Sequence, residues 1–156
     1  LSTFMSWKAD LTAIDDIATI PVHMLRELYG YWLAKKGDRK MPTRSDIVPT
    51  DISEILSRVL LLDVEYNPLR FKHRLIGTDV VKMMGRDYTG VYMDEISKTS
   101  STLKRFNWLL KSKEPYYTTS RLDWLGREFQ NYHVLCMPLG NEQGQIDMLL
   151  CGIEPF

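Results

Sequence analysis

Three features of this sequence predict an α+β fold. Residues 58–66 and 69–76 alternate in character on either side of a turn at Asn67-Pro68, as a hairpin does. Residues 129–140 and 145–153 form a second such pair around the turn segment 141–144. Ahead of the first pair, and between the two, apolar residues recur at helical spacing.

The first helix is predicted over 21–36, where Val22, Leu25, Leu28, Tyr29, Trp32 and Leu33 share one side. Pro21 suits the first helical turn and Gly37 the exit. Prolines at 42 and 49 then force extended or turn geometry, and Thr50 or Asp51 can cap a short helix ending near Leu56. Charge sets the register of the first hairpin. With Glu65 opposite Arg70 and Asp63 opposite Lys72, Val64 stacks on Phe71, Leu62 on His73 and Leu60 on Leu75 on the other face. Alternating Arg70, Lys72 and Arg74 also suit an outer strand guarded against aggregation.

The stretch RLIGTDVVKMMGRDYTG (74–90) could be mistaken for a phosphate cradle. Such a loop needs Lys followed by Ser or Thr directly after its second glycine, and Arg86-Asp87 follow Gly85. No G-x-G-x-x-G occurs either. The glycines therefore read as changes of direction around a cavity wall: Gly77 at a strand exit, Gly85 ending a 79–84 helix capped by Thr78 or Asp79, and Gly90 before the next turn. A helix over 97–113 carries Leu103, Phe106 and Leu110 on one side until Pro115 ends it, and 115–124 is rich in strand-forming residues. In the second hairpin, pairing Leu139 with Ile146 sets Leu135, Met137, Leu139, Ile146, Met148 and Leu150 on one face. Tyr132, Val134, Cys136, Leu149, Cys151 and Ile153 fall on the other.

Composition narrows the function. Lys plus Arg equals Asp plus Glu, so no nucleic-acid or membrane partner is indicated. The basic window 35–44 reads as a solvated helix end. No apolar run is long enough to span a membrane, and the N-terminal residues do not form a signal peptide; a cytoplasmic location is expected. Two cysteines cannot build a disulfide framework or a zinc site, and both are expected to be inert packing.

The segments YWLAKKGDRKMPTRSDIVPTDI, LLLDV, FKHRLIGTDVVKMMGRDYTG and LCMPLGNEQGQI, in that order, resemble the PAS_5-type branch of the bacterial PAS-domain family. The resemblance covers residues 28–153. It implies a five-stranded antiparallel sheet in spatial order 2-1-5-4-3 with helices over one face and an N-terminal helical extension. The domain plan is then an N-terminal segment at 1–20 that can be flexible, the extension at 21–57, and the PAS core at 58–156.

Of the histidines, His23 is expected at the surface. His73 and His133 are expected on one face of the sheet but about 14 Å apart, three strand spacings, too far to share a metal ion; no metal site is assigned. Haem-binding relatives carry an axial histidine on the long helix, and 97–113 has none. Flavin-binding light sensors of this fold carry an Asn-Cys-Arg-Phe-Leu-Gln run, which DVVKMM does not match. Haem and flavin are therefore both disfavoured. Asp123, Arg127, Glu128 and His133 could form an acid–base set, but nothing in their spacing requires it, and no catalytic residue is assigned. Trp32, Phe71, Phe106, Trp108, Tyr116, Phe129 and Tyr132, with Met83, Met84, Met137 and Met148, suit a cavity for an apolar or aromatic small molecule.

The expectation is a non-catalytic signalling sensor or interaction module. Its ligand cavity would be lined by Phe71, His73, Leu75, Phe106, Leu110, Met137 and Met148. The 21–36 helix, through Leu25, Leu28, Tyr29 and Trp32, would cover the back of the sheet as a dimer or output element. A homodimer and a signalling protein partner fit this reading. The alternatives are a small cone-shaped enzyme with a buried histidine or carboxylate as base, and a dimerisation scaffold with a filled core.

Overall fold

The computed structural model describes residues 10–122 and 127–156, apart from the side chains of 122 and 127–129. Its strands are β1 (Thr12–Ala13), β2 (Val59–Glu65), β3 (Arg70–Ile76), β4 (Tyr116–Leu122), β5 (Arg127–Gly140) and β6 (Ile146–Pro155). Its α-helices are α1 (His23–Lys36), α2 (Thr78–Met84) and α3 (Ser100–Ser112). One antiparallel sheet runs β1-β4-β5-β6-β2-β3. Without β1 this is the expected five-stranded order. The sixth strand escapes sequence reading because two residues show no period; Thr12 and Ala13 are held by Tyr117 and Tyr116. Ile14 and Ile20 are buried in the core, so residues 12–20 pack onto the domain. No helix among the described residues is long and apolar enough to cross a membrane.

The short helix expected to end near Leu56 is instead a pair of 3-10 turns, Pro49–Ile52 and Leu56–Arg58. Here backbone bonds close three residues back, from Asp51 to Val48 and from Ile55 to Ile52. The Asp51 carboxylate accepts from the Tyr31 hydroxyl at 2.9 Å, which ties these turns to α1. Helix α2 begins without a side-chain cap, because Asp79 accepts instead from Ser57 Oγ at 2.8 Å. Gly85 and Gly90 both take positive φ, as their predicted roles require.

The first hairpin has Glu65 opposite Arg70, Asp63 opposite Lys72, Val64 opposite Phe71 and Leu62 opposite His73, as charge predicts. The ion pairs form elsewhere. Arg70 forks onto Asp94 with two 2.8 Å bonds, Glu65 accepts from the Tyr92 hydroxyl, and Asp63 meets Arg74 at 3.7 Å. Beyond Leu62 the register shifts by one: Leu61 faces Leu75 and Leu60 faces Ile76. Arg74 is the extra residue of a bulge. The bulge turns Leu75 onto the other face, where it is 37 % exposed.

The second hairpin pairs Leu139 with Met148, two residues from the expected register, and Cys136 directly with Cys151. A shift of two keeps each residue on its face. The faces themselves are exchanged. Leu62 pairs with Leu149 and Leu60 with Cys151, so Cys136, Leu149 and Cys151 share the face of Phe71 and His73. That face lies under α3, where Phe106 meets Phe71 and Trp108 meets Tyr116. Helix α1 covers the opposite face, its own chain's back. A Cβ on Gly152 would lie 2.7 Å from Leu25 and 2.8 Å from Leu28, and the Trp32 indole donates to the Pro138 carbonyl at 2.9 Å. Leu135, Met137 and Leu139 belong to this back face and are fully buried. Both faces of β5 and β6 are covered, which is why both are apolar.

Candidate ligand site between the sheet and helix α3

Strand β3 turns Phe71 and His73 inward, and α3 brings Phe106 onto Phe71; the two phenyl rings lie 4.8 Å apart at 51°. The outer edge of β3 is covered by the segment that leaves Gly90. His73 N–H donates to the Val91 carbonyl at 3.0 Å, and Gly90 N–H donates to the His73 carbonyl at 2.8 Å. The His73 ring reaches the same Val91 oxygen through Nδ1 at 2.7 Å. A carbonyl only accepts, so Nδ1 carries the proton and Nε2 the lone pair. His73 is 1 % exposed, and its Nε2 has no hydrogen-bond partner among the described residues. Burial holds its pKa below the ordinary histidine value, against the Val91 bond that favours the proton.

Of the residues expected to line a cavity, the structure brings together Phe71, His73 and Phe106. Leu75 points out through the bulge. Met137 and Met148 lie on the back face with the α1 contacts. Leu110 is half-buried and lines an open cleft with Tyr66, Lys113 and Ile146. Residues Leu109, Met93, Tyr116 and the two cysteines are buried instead. Arg105, also buried, was missed; its signal was a cation set among the apolar residues of α3, beside Phe106 and one turn before Leu109. The buried side of α3 runs through Arg105, Phe106 and Leu109, with Leu103 and Leu110 flanking it.

The thiols of Cys136 and Cys151 lie 3.2 Å apart in the middle of this face, directly opposed across the β5–β6 ladder. Their mutual contact and burial push the Cys151 thiol well above its ordinary pKa, the setting of an unreactive sulfur. His133 does not share the face of His73. It pairs with Thr119 and Glu154, approaches the Tyr117 hydroxyl and stacks on Phe156 at 4.1 Å. Asp123 and the side chains of Arg127, Glu128 and Phe129 lie outside the described residues. His23 is at the surface, paired with Glu27 at 2.9 Å. Among the described residues no three His, Cys, Asp or Glu side chains are grouped to hold a metal ion. Leu25, Leu28, Tyr29 and Trp32 are all buried within their own chain.

The neutral, buried state of His73 has a pH consequence. The unfolded chain takes up this proton near pH ~6.5, and the folded chain only at lower pH. Stability is therefore present above that value and lost as pH falls towards the folded pKa. His133, also lowered mainly by burial, acts in the same direction. Asp147, raised mainly by burial, acts in the opposite sense near the carboxylate range. The melting temperature is expected to fall between about pH 7 and pH 5, and less so in His73→Leu. Equal slopes for the two proteins would show that His73 does not carry the effect.

Solved structures with a similar fold include the Rhodobacter sphaeroides LOV protein. It is 13 % identical, with a TM-score of 0.48, over 70 % of this chain and 69 % of that one. An RNA-binding light-oxygen-voltage receptor is 11 % identical with a TM-score of 0.49, over 73 % of this chain and 35 % of the receptor. No curated protein matches the sequence. The PAS-domain family model PAS_5 matches residues 20–152, with the whole α1 extension, the first hairpin, the linking helices and all of the second hairpin but the end of β6 inside the match, and the chain belongs to that family.

Proposed function

We propose that this protein is a non-catalytic bacterial signalling module, cytoplasmic, that binds a small and mainly apolar ligand between α3 and the sheet. The observation that carries the reading is His73. An acceptor nitrogen with no partner inside an apolar interior is costly, and a ligand that donates a hydrogen bond to Nε2 removes that cost. Phe71, Phe106 and Met93 supply the apolar surroundings. Helix α1 on the far face is the output element: a ligand that shifts the sheet shifts the surface on which Leu25, Leu28 and Trp32 rest. A homodimer or a signalling partner would engage the outer side of α1, since its inner side is occupied by its own sheet.

Native mass spectrometry of the protein isolated from its host tests this. The expected result is a bound species that leaves on denaturation and is lost or weakened in His73→Leu. A bare chain, with His73→Leu more stable than the wild type, would favour the filled-scaffold alternative.

A further inference from the structure

One wall beside His73 carries no core side chain. Residues 85–92 run between two buried methionines, Met84 and Met93, and none of them is itself buried. Yet this segment covers the His73 ring. The Tyr88 ring lies 6.2 Å from it, tilted by 40°, and the Val91 carbonyl holds Nδ1 at 2.7 Å. The segment meets β3 through its backbone bonds to His73 and the isolated bridge between Lys72 and Tyr92. Strand β2, in contrast, holds β3 along its whole length, and moving α3 would draw Phe106 and Leu109 out of the core. Within itself the segment is tied together. Asp87 accepts from the Thr89 N–H at 2.9 Å and from its hydroxyl at 2.6 Å, and Val91 N–H donates to the Tyr88 carbonyl at 2.9 Å. Gly85 and Gly90, at φ +85° and +87°, make its bends. Its far end is pinned at the surface, where the Tyr92 hydroxyl donates to Glu65 at 2.9 Å and the Arg70 guanidinium lies 3.6 Å over the Tyr92 ring.

We infer that residues 85–92 are a flap, latched by Tyr92, whose lifting opens the interior at His73 while the sheet and α3 stay folded. As the entry route for a ligand this rests on the reading above; as a moving part it rests on the fold alone. Segments with few buried apolar contacts open at the low end of the free-energy range, and this one lifts without exposing a core side chain. Lifting breaks the bonds from His73 to Val91 and Gly90, so the residue that a ligand would reach is also the residue that the flap releases.

Diethyl pyrocarbonate, which acylates an unprotonated imidazole nitrogen, tests the opening without any ligand, and peptide mass spectrometry separates the three histidines. Exposed His23 gives the rate of open access. His73 is expected to react more slowly than His23, at a rate that Trp32→Ala, which weakens the whole fold from the far face, leaves unchanged. Tyr92→Ala removes the latch and is expected to raise the His73 rate about tenfold or more. Lys72→Cys with Tyr92→Cys, opposed in the bridge, ties the flap to β3 when oxidised. The oxidised form is expected to acylate at His73 about tenfold more slowly than the same protein reduced, a comparison that decides the matter even if Tyr92→Ala does not fold. A His73 rate that rises in Trp32→Ala and ignores the crosslink would mean that the site is reached only by unfolding, and overturns the flap. So does a His73 that stays unreacted in Tyr92→Ala and in the reduced double variant. A crosslink-controlled His73 in a chain that native mass spectrometry finds bare supports the flap, although the ligand reading would then fail.

Discussion

Trp32→Ala is expected to cost about 3–5 kcal/mol, among the largest losses a single substitution in this chain would bring. Trp32 is 2 % exposed on the inner side of α1 and stacks near-parallel on Tyr29 at 6.1 Å. Its indole N–H donates to the Pro138 carbonyl, 106 residues along the chain. Truncation removes the apolar area, opens a cavity over β5 and takes away a buried donor. Trp32→Phe separates these terms, since it keeps most of the ring and loses only the N–H. It is expected to cost about 1–3 kcal/mol, the penalty of a buried acceptor left unmatched. Denaturant unfolding of both variants makes the comparison. Losses below about 1 kcal/mol in both would mean that α1 is a detachable appendage, and the reading of α1 as an output element resting on the sheet would fall with it.

How far the sequence could be read depended on where polarity distinguished two faces. In the first hairpin it did: only one register puts Asp63 and Glu65 opposite Lys72 and Arg70, and the structure has that register. It fails where the bulge at Arg74 begins, because a bulge adds a residue without disturbing local alternation, and Leu75 was misplaced by it. In the second hairpin both faces are apolar, so alternation could group Met137 with Met148 and Cys136 with Cys151 but could not say which group faced α3. The pairing of β2 with β6 decides that, and no charge or turn reports it in the sequence. Helix α1 was expected on the back of the sheet and lies there, over Leu135 and Met137 and not over Cys136 and Cys151. The candidate site was therefore legible in its β3 and α3 parts, Phe71, His73 and Phe106. Its β5 and β6 parts were not. Arg105 was missed for a related reason, since a cation on an amphipathic helix reads as solvated unless the helix's rotation is known.

Gly77→Ala is expected to cost about 3 kcal/mol or more, at or above the upper end of overpacking losses. The backbone angles at Gly77, φ −59° and ψ 152°, suit any residue, so the requirement for glycine is not conformational. It is steric. A Cβ there would lie 2.3 Å from the Ser57 carbonyl oxygen and 2.6 Å from that of Leu56. These are backbone atoms, and they are pinned. Gly77 N–H donates to the Val59 carbonyl at 2.8 Å, Ser57 Oγ donates to Asp79, and Arg58 reaches both Asp79 and Glu154. The chain at 56–58 cannot retreat without parting β3 from β2 at its end. Gly90 provides the contrast. Its φ of +87° is unfavourable for an L residue, but a Cβ there would meet nothing within 4 Å. Gly90→Ala is therefore expected to cost only the left-handed penalty, about 1–2 kcal/mol. Denaturant melts of the two alanine variants give the order directly. If Gly90→Ala proved the more damaging, conformational freedom and not close approach would set the need for glycine in this stretch, and the account of how β3 is locked to the 56–58 turn would be wrong.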